Sequence, residues 1–280
     1  MTPILLSRGR LPLAALFLSA AAAWGALAST AAHGATLPQS QPHRGSMIKQ
    51  REGKGPRLLG YLSLPKGAGT HPGIVAIQEW WGLSDWVKGQ ADSLAAHGYV
   101  VFAVDLYEGK VAYNEETAHQ LMSGLVEEDV MAKLRAAVDF LRSREDVRAH
   151  AIGVIGWCMG GKYAIRLAAA DPGIRACVVY YGAPLTDPSQ IRDIQAAILG
   201  NYGAEDQGIP PEQVKKFEAA LRKAGKKVDF KIYPGAGHAF ASEDNPWGGY
   251  RPEAAKDAWQ RTVAFLDREL KRASLPGKRG

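Results

Sequence analysis

The sequence predicts an α/β fold with a mostly parallel central sheet and helices on both faces. Three observations predict it. Continuous apolar runs of strand length, such as GIVAI (73–77) and VVFAV (100–104), mark strands buried on both faces. These runs alternate with segments of helical spacing, the order of a βαβ protein. The chain has 280 residues and is 46% hydrophobic, enough to bury such a core as one domain.

Residues 1–35 carry Arg8 and Arg10, an apolar stretch from Leu11 to about Ala28, and then small residues. That is the pattern of a secretory signal peptide. Ser29-Thr30-Ala31 and Ala32-His33-Gly34 both suit a signal peptidase, so the cleavage point stays open. An uncleaved membrane anchor is the alternative reading. The leader holds no cysteine for lipid attachment, and Arg8 and Arg10 are not adjacent as in a twin-arginine signal. The expected location is periplasmic or secreted. Residues 36–56 read as a polar, proline-containing linker and residues 57–275 as the folded domain.

Within that domain RLLGYLSLP (57–65) alternates and reads as an exposed edge strand, joined by a glycine-rich turn to the buried strand HPGIVAIQE (71–79). Ser84 is placed to cap a helix ending at Gly98. The strand YVVFAVDLY (99–107) follows, then helical spacing over 115–143 and the strand AIGVIGW (151–157). A helix over 159–170, strands over 174–182 and 195–202, a helix over 211–224, a strand over 227–234 and a last helix over 253–272 complete the order. In such sheets the chemistry lies at the carboxyl ends of the strands.

The net charge of +6 falls to about +4 without Arg8 and Arg10, and the remaining charges are dispersed rather than gathered into a basic stripe. That argues against a nucleic-acid partner. The two cysteines, Cys158 and Cys177, fall at opposite ends of neighbouring strands, so two free thiols are expected, Cys177 as a small buried apolar residue.

Three segments carry chemistry, each after a strand. Gly156-Trp157-Cys158-Met159-Gly160 has the spacing of a nucleophile elbow with cysteine as the nucleophile. Glycines are needed where the tight strand-to-helix turn brings backbones together, and the following helix aims its N-terminal N–H groups at the sulfur. Asp206, or Glu205, emerges beyond the strand QAAILG, and His238 sits in a small-residue loop after VDFKIYP. Alone, each has a bland reading as a structural cysteine, a solvated turn acid or an exposed histidine. The order nucleophile, acid, histidine is that of the α/β-hydrolases. His238 would act as the general base and Asp206 would fix its tautomer.

The sequence from about residue 50 to 270 resembles the dienelactone hydrolase family of α/β-hydrolases, the carboxymethylenebutenolidase type. The resemblance rests on Gln78-Glu79-Trp80-Trp81-Gly82, Asp105-Leu106-Tyr107, Gly156-Trp157-Cys158-Met159-Gly160-Gly161, Tyr181-Gly182, Asp206 and Gly237-His238-Ala239-Phe240. It implies a Cys158-His238-Asp206 triad that opens a small lactone or carboxylic ester through an acyl-enzyme, with no metal or organic cofactor. It also implies an oxyanion hole from the backbone N–H groups of Met159 and Trp80, and a catalytic Glu79 that contacts the resting thiol until substrate displaces it. Trp81, Tyr107, Lys110, Trp157 and Phe240 are the candidate substrate contacts, with Trp247 a further candidate for an aromatic wall.

The sequence departs from the family where substrate is chosen. The two arginines that hold a substrate carboxylate are missing: their regions read Glu108-Gly109-Lys110 and Ala241-Ser242-Glu243. Lys110 or Arg251 could supply a positive charge but not the bidentate clamp. The competing functions are a general carboxylesterase or thioesterase and a non-catalytic binding protein on the same scaffold. A thiol redox protein is disfavoured by the lack of a Cys-x-x-Cys pair, and a metallohydrolase by the lack of ligand spacing among the histidines. The expected partner is a small-molecule ester or lactone, and the expected state a monomer.

Overall fold

The computed structural model describes residues 43–50, 57–245 and 248–272. The signal-peptide region, most of the linker, Trp247 and residues 273–275 lie outside the described residues.

Eight strands form one sheet in the order β1-β2-β4-β3-β5-β6-β7-β8. They are β1 (Ser46–Gln50), β2 (Leu58–Ser63), β3 (His71–Ile77), β4 (Val100–Val104), β5 (Val147–Trp157), β6 (Ile174–Tyr180), β7 (Ala197–Gly203) and β8 (Val228–Tyr233). The pairs β1·β2 and β2·β4 are antiparallel and all others parallel. The helices are α1 (Asp85–Ala96), α2 (Glu115–Ser123), α3 (Glu127–Arg142), α4 (Met159–Ala170), α5 (Pro188–Asp193), α6 (Pro211–Lys223) and α7 (Pro252–Leu266), the last continued by a π-helical turn over Asp267–Arg272. Among the described residues no helix is long and apolar enough to cross a membrane.

The continuous apolar strands are explained by burial on both faces. In β3, Val75 and Ile77 enter the layer packed by α3, α4 and α6, while Ile74 and Ala76 enter the layer under α1 and α7. In β4, Val100, Phe102 and Val104 serve the first layer and Val101 and Ala103 the second. With period 2 and two dry faces, neither set of positions is free to be polar.

Four features differ from the sequence expectation. Residues 46–50, read as part of the linker, form β1, an edge strand with only Met47 and Ile48 as large apolar residues. β2 is therefore an interior strand, with Leu58 and Leu62 buried, because β1 covers its outer side. The helical stretch over 115–143 divides at Gly124 into α2 and α3. The short helix α5, capped by Asp187 with Pro188 in its first turn, had no apolar period long enough to announce it.

Chain order reverses at β3, which lies between β4 and β5. Open α/β sheets form their crevice beyond the strand ends at such a switch point. Here those ends are Glu79-Trp80 after β3 and Cys158 after β5.

Candidate active site

Cys158 occupies the turn between β5 and α4 with φ 53° and ψ −118°, a conformation a side chain adopts only when its surroundings impose it. Those surroundings are visible. Its N–H donates to the Tyr180 carbonyl at 3.0 Å, and its own carbonyl accepts from Gly161 and Lys162 at 3.0 and 3.3 Å. A Cβ on Gly156 would overlap the Gly160 carbonyl, and one on Gly160 would overlap the carbonyls of Ile77 and Gln78. The first turn of α4 thus rests directly on the end of β3. The first N–H groups of a helix have no acceptor within it, and their dipole favours negative charge there. Met159 is the first residue of α4, with Cys158 at the N-cap.

Asp206 is 1% exposed and lies in the loop after β7. Its Oδ1 accepts the N–H groups of Gly208 and Ile209, both at 2.9 Å, which leaves Oδ2 to accept from His238 Nδ1 at 2.7 Å. The neighbouring acid, Glu205, is exposed, so Asp206 is the acid that meets the histidine. The two loops are pinned to each other, since Ala204 N–H donates to the Tyr233 carbonyl and Glu205 N–H to that of Ala236, each at 2.9 Å. His238 Nε2 lies 3.1 Å from Cys158 Sγ. Burial acts to lower the His238 pKa, but the hydrogen bonds to Asp206 and Cys158 and the charges of both outweigh it and raise it to about 10. Cys158 and Cys177 are both free. Trp157 pairs with Tyr180, so Cys177 lies four strand positions, about 13 Å, from the elbow, beyond disulfide reach.

Glu79 is 3% exposed, and its Oε1 accepts from the Tyr181 hydroxyl at 3.4 Å. Burial pushes its carboxyl up to about 7, against the nearby His238 charge and the Tyr181 hydroxyl, which pull it down. The hydrogen bond of the Cys158 sulfur runs to His238, so the two residues that the resemblance couples each have another partner in this structure. Tyr181, with φ 39°, also sets its ring 5.2 Å from that of His238. Sequence reasoning placed Tyr181 within a motif without giving it a role. Its position at the end of β6, beside the switch point, was the available signal.

The candidate substrate contacts separate into two groups. Trp81 is half-buried, edge-on to Trp80 with ring centroids 4.9 Å apart, and lines a cavity of about 390 Å³. Tyr107 is buried and its hydroxyl donates to Met159 Sδ at 3.5 Å, beside the elbow. The other three stand elsewhere. Trp157, 1% exposed, is core, packed edge-on against Trp86, because the alternation that aims Cys158 out of the sheet aims its neighbour inward. Phe240 is fully buried against Tyr181 and Tyr233, beneath the histidine loop. Lys110 is exposed and does not line the cavity. Arg251, the other candidate cation, donates to the carbonyls of Gly235, Gly248 and Tyr250. Gln78 and Asp105 are scaffolding: Gln78 Oε1 accepts from Leu106 N–H, and Asp105 accepts from Tyr107 and Gly109 N–H. Among the described residues no group of three or more His, Cys, Asp or Glu side chains is arranged to hold a metal ion.

A mostly parallel sheet wrapped by helices, with its strained turn at the β5–α4 junction and its crevice at the switch point, is an α/β-hydrolase fold. The model of the dienelactone hydrolase family matches residues 58–270, and the chain belongs to that family. It is 34% identical over 215 residues to a protein of Methylorubrum extorquens named "Putative carboxymethylenebutenolidase", covering 72% of this chain and 73% of that one. It is 35% identical to "Protein usf" of Aquifex pyrophilus, covering 81% and 99% of the two chains. The crystal structure of a "Putative Dienelactone Hydrolase" from Klebsiella pneumoniae superposes with a TM-score of 0.71 at 29% identity, over 80% of this chain and 99% of that one. The chain is accordingly a hydrolase of ester bonds.

Proposed function

We propose that this chain hydrolyses small lactones or carboxylic esters with Cys158 as nucleophile, His238 as general base and acid, and Asp206 as the residue that orients His238. The reading rests on the unbroken path from the Asp206 carboxylate through both imidazole nitrogens to the sulfur, at 2.7 and 3.1 Å. Asp206 accepts from Nδ1–H, which leaves Nε2 to take the thiol proton. The thiolate attacks the substrate carbonyl and forms a tetrahedral oxyanion beside the N–H groups of Met159 and Trp80. Collapse expels the alcohol, protonated by His238, and leaves an S-acyl thioester. Water, deprotonated by His238, then attacks that thioester and releases the acid.

The test compares the mature protein with Cys158→Ala on an aryl acetate and on a dienelactone. Loss of at least about 1,000-fold in kcat/KM is expected for the variant. Equal rates would overturn the assignment of the nucleophile, and activity on the aryl ester alone would reduce the reading to a general esterase. We further propose, from the leader-like residues 1–35, that the protein works in the periplasm or outside the cell. Fractionation of expressing cells, with a cytoplasmic marker enzyme as reference, checks this, and recovery with the marker overturns it.

A further inference from the structure

Among the described residues, the cavity beside Glu79 is lined by three carboxylates, Glu79, Asp85 and Asp244, and by one cation, Lys88. Lys88 Nζ is held by Asp85 at 2.9 Å, so the only cation in the wall is already neutralised within it. Trp81, Trp86 and Val111 make up much of the rest. Ser242, four residues beyond His238, also lines the cavity and brings a hydroxyl but no charge. The two cations that could have reversed the balance are engaged elsewhere: Lys110 faces solvent outside the lining and Arg251 is bound to three backbone carbonyls.

We infer that this cavity selects esters whose non-reacting part is uncharged and apolar, and turns away esters that carry a carboxylate there. The inference rests on the hydrolase reading above. Its physical basis is simple. A substrate carboxylate would lose water, meet no free cation and face like charges, Glu79 within the wall and Asp244 at the mouth. An uncharged ring or chain suffers none of this and gains apolar contact with the two tryptophans. Glu79, which lines the cavity, accepts from the Tyr181 hydroxyl, and the Tyr181 ring lies 5.2 Å from that of His238, so two residues join the wall of the cavity to the path ending at Cys158.

The test uses matched pairs with the same reacting bond. 4-Acetoxybenzoate and its methyl ester probe the alcohol side, and mono-4-nitrophenyl glutarate and its methyl ester probe the acyl side. For each, kcat/KM is divided by the hydroxide-catalysed rate. On at least one side the wild-type protein is expected to favour the methyl ester at least tenfold. Asp244→Asn is expected to narrow that preference by threefold or more, and Asp244→Lys to narrow it further. Raising NaCl from 0.02 to 0.5 M should narrow it in the wild-type protein too, a readout independent of how the variants fold. Equal rates within both pairs, or a preference that neither salt nor Asp244→Lys alters, would overturn the inference. Cleavage that survives in Cys158→Ala would instead overturn the underlying reading of Cys158 as nucleophile, so the two failures are distinguishable.

Discussion

His238 Nε2 and Cys158 Sγ lie 3.1 Å apart across 80 residues of chain. Neither residue is positioned by its own segment alone. The sulfur is aimed by a backbone held at φ 53°, and the imidazole by Asp206, whose loop is hydrogen-bonded to the histidine loop. The four non-glycine residues in the left-handed region among those described are Glu108, Cys158, Tyr181 and Ala239. Each borders this constellation or a loop leading to it. Conformations of this kind cost about 1–3 kcal/mol each and persist where the surroundings over-determine them.

Asp206→Asn replaces an acceptor by a group that presents either an amide oxygen or an N–H to Nδ1. Without the carboxylate the preferred tautomer is lost, and so is much of what raises the His238 pKa. The expected loss in kcat is about 10³- to 10⁴-fold, comparable to the same change in other triads. The His238 pKa, followed by NMR of the imidazole, should fall from about 10. An unshifted pKa with full activity would show that Asp206 merely ties two loops together.

Glu79→Gln tests whether the buried carboxylate restrains the thiol. Above its pKa of about 7, Glu79 places a negative charge beside His238, the hydrogen-bond partner of the sulfur, and a restraint on the thiol would act as repulsion of a second anion at Cys158. Removing that charge should speed alkylation of the resting enzyme by iodoacetamide at pH 8 and change turnover on an aryl ester. Unchanged alkylation and unchanged turnover would leave Glu79 with no gating role.

The same burial has a consequence for stability. Glu79 ionises near 7 in the fold and at 4.5 when unfolded, so the native state holds the proton more tightly. Stability from this group is fully present below pH 4.5 and is lost as pH rises through 7, a difference of about 3 kcal/mol. Glu79→Gln should therefore flatten the fall in denaturant midpoint between pH 5 and 8. His238, raised from 6.5 to about 10, has the same sign over a higher window: its contribution is full below 6.5 and fades through 10. The residual decline above pH 8 should be lost in His238→Gln.

What the sequence made legible was set by how local the cause was. Cys158 and Asp206 follow strands with continuous apolar runs and His238 follows the alternating strand VDFKIY, so strand reading alone placed all three at strand ends along one edge of the sheet. The role of Trp157 was misread because a tryptophan beside a nucleophile looks the same in sequence whether it faces the crevice or the core; only the alternation of β5 decides. β1 was missed because an exposed edge strand needs few apolar residues. The pairing of Tyr181 with Glu79 joins residues 102 positions apart through a hydroxyl, and no periodicity reports such a contact.

Two glycines in helices give a final prediction in which one substitution has opposite signs. In α1, a Cβ on Gly89 would meet nothing within 4 Å, so Gly89→Ala gains helix propensity and loses unfolded-state entropy without a clash. It should stabilise the fold by about 0.5–1 kcal/mol. Gly160, in the first turn of α4, is backed by the carbonyls of Ile77, the last residue of β3, and of Gln78 just beyond it, both buried and with little room to retreat. The same propensity gain is there outweighed by overpacking, and Gly160→Ala should destabilise by about 1–3 kcal/mol. It should also lower kcat, since any shift of α4 from the end of β3 moves the Cys158 elbow at its N-cap away from His238. Denaturant midpoints for both variants check the signs. A Gly160→Ala protein as stable and active as the wild type would mean that close contact between helix and strand is not what holds the elbow in place.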